Sequence, residues 1–314
     1  MFLCSEMKRI LVTGSAGMLG KAVCKSLKSP GNEIIELTRD KVDLRSPEET
    51  LRFFSSTKPD LVVHCAALVG GIAANMNGGS KFLLENIELD RSVLYSARKS
   101  QVNDLIYIGS SCMYPANIDH PLKESEILAG ALEPTNANYA LAKILGSNIT
   151  LSIANEDGLD WRVFIASNLY GPHDHFSPSK SHLLAAIIQK AIEAKENDSK
   201  TIEMWGNGEP RREFTYVDDF ANWIALSSKF LNKLPIVLNT GIGIDYSVKE
   251  YYEKVLVALN LDVEIVSNPN KPSGNMRKLM DSSLAKEYGW LAPTDIDTGI
   301  AQTIDWYLQN RVVI

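Results

Sequence analysis

The chain is expected to fold as a doubly wound α/β structure: a parallel sheet with helices on both faces, and a smaller C-terminal lobe. Three observations predict this. Short apolar runs (KRILVT, EIIELT, LVVHCAA, LIYIG, WRVFIAS, IVLNTG) recur with helical stretches between them, the order that makes a parallel sheet. Three glycines, Gly14, Gly17 and Gly20, stand between the first strand and the first helix. A chain of 314 residues that is 45% hydrophobic can bury one large core or two lobes.

The first strand covers residues 8–13, GSAGMLG follows, and a helix is expected over 21–27. Glycines at such a turn allow backbone to approach a pyrophosphate, and the helix N-terminus attracts the phosphates. Gly14, Gly17, Met18, Leu19 and Gly20 are therefore candidate cofactor-binding residues of a Rossmann-type site. The second strand, EIIELTRD, selects the cofactor. An acid at this strand end would hold the ribose 2′-hydroxyl of NAD. Here Arg39 comes first, and its forked guanidinium suits a 2′-phosphate, so NADP(H) is expected. Asp43 is expected near the adenine.

The third strand, residues 61–67, contains His64 and Cys65, both read as core residues. LVGGIAANMNGG is expected to be a glycine-rich loop at the strand's C-terminal end, where open α/β sheets bind ligands. A helix over about 81–100 precedes the strand 105–108, and Ser110 ends that segment. A further helix carries Tyr139 and Lys143 and runs to about residue 155. A Tyr and a Lys four apart lie one turn from each other. The ammonium there helps the phenol pass a proton to or from an alcohol oxygen, and Ser110 would supply a second hydrogen bond to that oxygen. The spacing is not unique, since Tyr95 and Lys99 repeat it. That second pair lacks a serine at a preceding strand end and is expected to be inert.

After Gly171 the composition changes. A helix over 181–196, the segment MWGNGEPRREFTYVDD, a helix to about residue 230 and the strand IVLNTG follow, then shorter helices and the polar loop SNPNKPSGNMRKLMD. Arg211 and Arg212 in one segment, with Lys271, Arg277 and Lys278 in the other, suggest a local site for an anion such as a diphosphate. His173 and His175 form an H-x-H pair beside a proline with no third ligand nearby, so no metal site is expected.

A net charge of −6, from 32 basic and 38 acidic residues, argues against a nucleic-acid or membrane-surface partner. Four cysteines without a C-x-x-C pair suit a reducing cytoplasm. The longest apolar run is too short to span a bilayer, and MFLCSEMKR has no signal-peptide pattern.

GSAGMLG, LVGGIAAN, IGSSCMYP, EPTNANYALAK, NLYGPHDHFSPSKSH, WGNGEPRREFTYVDD, NTGIG and KPSGNMRKLMD together resemble the extended short-chain dehydrogenases/reductases. More narrowly, they are similar to the branch that epimerises and reduces GDP-4-keto-6-deoxymannose, and the likeness runs nearly end to end. The resemblance implies that Ser110, Tyr139 and Lys143 serve the reduction, and that Cys112 and His182 transfer protons during epimerisation. It implies an NADP-selective role for Arg39 and a substrate-binding role for Arg212. Asn168, His182, Lys190, Trp205 and Lys278 would also face a GDP-sugar. It implies that the lobes interleave, with residues 1–170 and about 214–246 binding the cofactor and about 171–213 and 247–314 binding the sugar nucleotide. It further implies a homodimer through the helices near 81–100 and 137–155. Ser15-Ala16 departs from the His-Arg that this branch often carries, which leaves Arg39 more of the 2′-phosphate to hold, and Leu68 stands where a Lys is frequent. A related GDP-4-keto sugar, a precursor of colitose or of a deoxyheptose, is the alternative substrate. A nucleotide-sugar 4-epimerase or 4,6-dehydratase is a rival, disfavoured because dehydratases carry Asp-Glu where this chain has Ser111-Cys112. A non-catalytic NADP sensor on the same fold is disfavoured by the intact Ser110, Tyr139 and Lys143.

Overall fold

The computed structural model describes residues 7–177, 181–271 and 274–311. Cys4, positions 178–180 in SPSKSH and positions 272–273 in KPSG lie outside the described residues. In chain order the elements begin with β1 (Lys8–Thr13), α1 (Met18–Leu27), β2 (Asn32–Leu37), α2 (Pro47–Thr57), β3 (Leu61–His64), α3 (Ile72–Asn77), α4 (Gly79–Lys99) and β4 (Asp104–Ser110). They continue with α5 (Ala137–Asp157), β5 (Asp160–Ala166), β6 (Asn168–Tyr170), α6 (Leu183–Glu196), β7 (Thr201–Trp205), β8 (Arg211–Tyr216), α7 (Val217–Ser227) and β9 (Val237–Thr240). The last are β10 (Asp245–Ser247), α8 (Val248–Ala258), β11 (Glu264–Asn268), β12 (Arg277–Lys278), α9 (Ser283–Glu287) and α10 (Ile296–Asn310).

Six strands form one sheet in the order β2-β1-β3-β4-β5-β9, with every pairing parallel. The strand order reverses beside β1, which opens a crevice at the carboxyl ends of β1 and β3. Strand alternation builds the two faces. Ile10 and Val12 point toward α1 and α7, in a cluster with Val23, Phe220 and Ile224. Leu11, between them, points the other way and packs with Phe54 of α2, Val93 of α4 and Ile153 of α5. Each of these side chains is fully or nearly fully buried, which drives the docking of helices on both faces.

β8 organises a second sheet of four strands, with β10 antiparallel to it and β6 and β12 parallel. A third cluster, centred on Ile187, Tyr251 and Ile300, joins α6, α8 and α10. Among the described residues no helix is long and apolar enough to cross a membrane.

Several local expectations change. The first helix starts at Met18, so Gly20 lies inside it. The third strand ends at His64, three residues early. LVGGIAANMNGG is not all loop, because Ile72–Asn77 is helical and Asn75 turns its amide back to the carbonyls of Gly70 and Gly71 at 2.7 and 3.1 Å. MWGNGEPRREFTYVDD holds the end of β7 and all of β8, and alternating burial marks β7 as a strand.

Candidate active site

The glycine turn after β1 is built for close approach. Gly14 has φ +64° and a Cβ there would sit 2.7 Å from Ala66 Cα; a Cβ on Gly20 would sit 2.2 Å from the Gly14 carbonyl oxygen. Gly17 stands at the N-cap of α1, with no side-chain cap and no acid in the first turn, so the helix's first N–H groups are available to a phosphate. Met18 and Leu19 open that helix and are partly buried against the core. Arg39 follows the end of β2 and is exposed, with its charge felt by Asp43. Asp43 is engaged by Arg45 at 2.7 to 3.2 Å, and that hydrogen bonding holds its carboxyl down at about 2. These residues fit a dinucleotide with a 2′-phosphate, because the uncapped start of α1 offers N–H groups to one phosphate and the exposed Arg39 offers a cation to another.

Ser110 is the last residue of β4, and its Oγ accepts from the backbone N–H of Cys112 at 3.3 Å, which fixes the turn that follows. Ser110 lies near enough to Tyr139 for its hydroxyl to favour the ionised phenol. Burial pushes the Tyr139 phenol above its ordinary range, with the nearby Cys112 and Asp90 adding to the rise and Ser110 opposing it. Tyr139 therefore keeps its proton at neutral pH, as a proton donor must. Lys143, one turn on in α5, is 3% exposed, and its Nζ lies 4.1 Å from the centroid of the Tyr107 ring. Burial pulls its ammonium below the ordinary lysine range, and the negative charge of Asp90 opposes that fall. The Tyr95–Lys99 pair lies apart from this cluster, on an exposed face of α4 with Nζ 5.6 Å from the ring centroid.

Cys112 is the hinge of the site. Its Sγ accepts from the side-chain amide of Asn136 at 3.3 Å, and it is close enough to Tyr139 and Arg212 to influence the titration of both. Arg212, on β8, is largely buried, which lowers its pKa against the opposing pull of Glu133 and Cys112. It donates to the Arg211 carbonyl at 2.8 Å. His182 caps α6, with Nδ1 buried and 3.9 Å from Oδ1 of the buried Asp174. Ser181, just before it, lies against the loop that follows β3: a Cβ on Gly71 would sit 2.8 Å from the Ser181 carbonyl oxygen.

The remaining candidates fall into two groups. Trp205 lies between two lysines, with Lys190 and Lys271 at 5.4 and 5.3 Å from its ring centroid. That flat ring with cations around it suits an aromatic base bearing phosphates. Asn168 gives its amide to the Glu213 carbonyl at 2.8 Å, and Lys278 is buried on β12 opposite Arg212. Arg211 and Arg277 have other work: both grip Asp245, at 3.0 and 2.6 Å, and Arg211 also meets Glu250 at 3.2 Å. Sequence reading missed Asn136, although an Asn before an apolar helix is a recognisable cap signal. Asp174 and Asp90 left no local signal.

A phosphate-ready glycine turn at the sheet's switch point, with Ser110, Tyr139 and Lys143 at the carboxyl edge, defines a dinucleotide-dependent oxidoreductase of the short-chain dehydrogenase/reductase class. Residues 10–241 match the NAD dependent epimerase/dehydratase family, and the chain belongs to it. A GDP-L-fucose synthase from Azorhizobium caulinodans is 39% identical, with 98% of each chain covered. A GDP-L-colitose synthase from Yersinia pseudotuberculosis is 38% identical over 96% of this chain and 99% of the relative. Among solved structures, a GDP-mannoheptose C4 reductase from Campylobacter jejuni with NADP bound superposes with a TM-score of 0.87 at 30% identity, covering 96% of this chain and 98% of that one.

Proposed function

We propose that the protein converts GDP-4-keto-6-deoxy-D-mannose to GDP-L-fucose, inverting C3 and C5 and reducing C4 with NADPH. The observation that carries this reading is that Cys112 stands two residues after Ser110, in the turn that Ser110 fixes, and lies near enough to Tyr139 to influence its titration, which puts a carbon acid/base group beside a carbonyl-binding pair. The C–H bonds flanking a 4-keto group are acidic. Cys112 takes or returns a proton at those carbons, and His182, with Asp174 3.9 Å from its Nδ1, serves the opposite face. Ser110 and Tyr139 hydrogen-bond the C4 oxygen as charge builds on it, and Tyr139 then protonates it. Bound NADPH supplies the hydride to C4. Gly14, Gly17, Met18, Leu19, Gly20, Arg39 and Asp43 would hold that cofactor together with Tyr139 and Lys143, while Asn168, Lys190, Trp205, Arg212 and Lys278 would hold the GDP-sugar.

A second reading keeps the chemistry and changes the sugar. The similarity to a colitose synthase and to a heptose reductase supports a related GDP-4-keto sugar as the alternative. Incubating the purified protein with NADPH and a panel of GDP-4-keto sugars, and solving each product's stereochemistry by NMR, separates the two. GDP-L-fucose formed at the highest kcat/KM is the expected result; a clear preference for a 3-deoxy or seven-carbon sugar would overturn it.

The division into a cofactor lobe (1–170, about 214–246) and a sugar-nucleotide lobe (about 171–213, 247–314) belongs to the same proposal. It is supported by β9 pairing with β5 and by α7 packing on α1. Ala285 and Trp290 pack in that same core, so the stretch around α9 is better grouped with the cofactor lobe. Homodimerisation is supported by Leu84, Tyr95, Leu141 and Leu145, which are large, exposed and carried by α4 and α5; sedimentation of the purified chain checks it. The free thiols of Cys24, Cys65 and Cys112 favour a cytoplasmic location.

A further inference from the structure

Behind Lys143 lies a line of polar groups that the reaction outlined above does not use. Thr13, His64 and Tyr107 occupy one row across β1, β3 and β4, as their register shows, and Asp90 reaches them from α4. All four are 0% or 1% exposed. Tyr107 donates its hydroxyl to Asp90 Oδ2 at 2.5 Å, His64 Nε2 lies 3.1 Å from Asp90 Oδ1, and His64 Nδ1 lies 2.7 Å from Thr13 Oγ1. Thr13 Oγ1 also accepts the backbone N–H of Ala66 at 3.2 Å.

The chemistry of these partners fixes the protons. A carboxylate only accepts, so the single N–H of a neutral His64 goes to Asp90 from Nε2. Nδ1 must then accept, and the Thr13 hydroxyl donates to it. Burial keeps His64 neutral by pulling its pKa down. Asp90 thus holds two neutral donors and a full negative charge in the core, and no ion pair with a lysine or arginine reaches it among the described residues. The cation it faces is Lys143, across the Tyr107 ring. The other titratable groups around Lys143 are Cys65 at the end of β3, His64, and Tyr139 one turn earlier in α5. Apolar residues in these positions would make at least as stable a core, so the charge is better explained by what it does to its neighbour.

We infer that Asp90 is a positioning residue for the reaction proposed above, a buried counter-ion that, held by Tyr107 and His64, keeps the Lys143 ammonium charged and in place beside Tyr139. This inference rests on that reading only for its kinetic consequence. Removing the carboxylate takes away the larger influence opposing the desolvation of Lys143, so the lysine loses its proton at lower pH. It also removes one of the charges that hold the Tyr139 proton. Both changes move the alkaline limb of the reduction in the same direction, toward acid.

The test follows the Lys143 resonance by NMR in full-length protein labelled with [ε-13C]lysine, assigned by its absence in Lys143→Arg. In Asp90→Asn the titration midpoint should fall by about one pH unit or more, giving at least about tenfold more neutral lysine at a given pH. The alkaline limb of kcat/KM for NADPH-dependent reduction should move by a similar amount, with the acid limb unmoved. Asp90→Glu should restore most of both. Asp90→Ser also removes the charge, in a smaller side chain, and should lower the midpoint in the same direction; it decides the matter if Asp90→Asn does not fold. An unmoved Lys143 midpoint in whichever of these variants folds would overturn the inference. A wild-type protein that fails to reduce 4-keto sugars would sink the functional reading, while the lysine titration would still judge Asp90.

Discussion

Gly146 marks where α5 passes closest to the buried network, and replacing it by alanine should be destructive despite alanine's better helix propensity. A Cβ at this position would lie 2.2 Å from Tyr107 Oη, 2.4 Å from Asp90 Oδ2 and 2.7 Å from Tyr107 Cζ. Ordinary van der Waals contact lies beyond 3.4 Å, so a shift of about 1 Å is forced. Neither neighbour can give easily, because both are buried and bonded to each other. Overpacking of this kind costs about 1–3 kcal/mol. Breaking a buried hydrogen bond to a charged group adds about 1.5–3 kcal/mol, and the propensity gain returns about 1 kcal/mol. A net loss of about 1.5–5 kcal/mol follows, seen as a lower urea midpoint with an unchanged slope. Gly31→Ala is the control: nothing lies within 4 Å of a Cβ there, so the change should be neutral or stabilising by about 0.4–1 kcal/mol. A Gly146→Ala protein as stable as the wild type would refute the close-packing argument, and with it the view that α5 is held against Asp90 at that point.

Three further outcomes are expected. Arg39→Asp should raise the KM for NADPH about tenfold or more and spare NADH, whereas equal use of both cofactors by the unaltered protein would make Arg39 a plain surface cation. Tyr139→Phe should lower turnover by about 100-fold or more while Tyr95→Phe leaves it unchanged, and equal losses in two folded variants would discredit the assignment. Glu213 is buried and, although the Gly243 and Met280 amides bind it at 2.6 and 2.9 Å, burial pushes its carboxyl up to about 7 from an ordinary value of 4.5. The folded state then holds this proton more tightly than the unfolded state, so the contribution to stability is full below about pH 4.5 and falls as pH rises through about 7. Relative to Glu213→Gln, the wild type should lose about 3 kcal/mol across that window in urea titrations; parallel pH curves would contradict the shift.

What the sequence discloses and what it hides follow from the range of the forces involved. The β1–glycine–α1 unit, Ser110 at a strand end and the Tyr139–Lys143 pair are local patterns, set by strand alternation, glycine spacing and a single helical turn. They are legible because the residues that make them are neighbours in the chain. Asp90 is not legible: in ENIELDRS it reads as one more acid on a charged helix, and only the packing of α4 on β3 and β4 gives it His64 and Tyr107. His64 is recognisable as a core residue, but its bond to Thr13 spans 51 positions. Arg211 and Arg277 look like phosphate ligands in a run of basic residues, until β8, β10 and β12 converge and Asp245 takes both. Asn136 on Cys112 and Asp174 near His182 likewise depend on loops meeting across the sheet edge.

The central claim is that one site both epimerises and reduces. It is tested most directly by turning over GDP-4-keto-6-deoxymannose with NADPH in heavy water and locating deuterium in the product by NMR. The account predicts solvent deuterium at C3 and C5 and protium from the cofactor at C4. It also predicts that Cys112→Ser and His182→Asn each cut the C3 and C5 incorporation sharply while NADPH still binds. A product reduced at C4 with no deuterium at C3 or C5, or exchange at the unaltered rate in both variants, would contradict it.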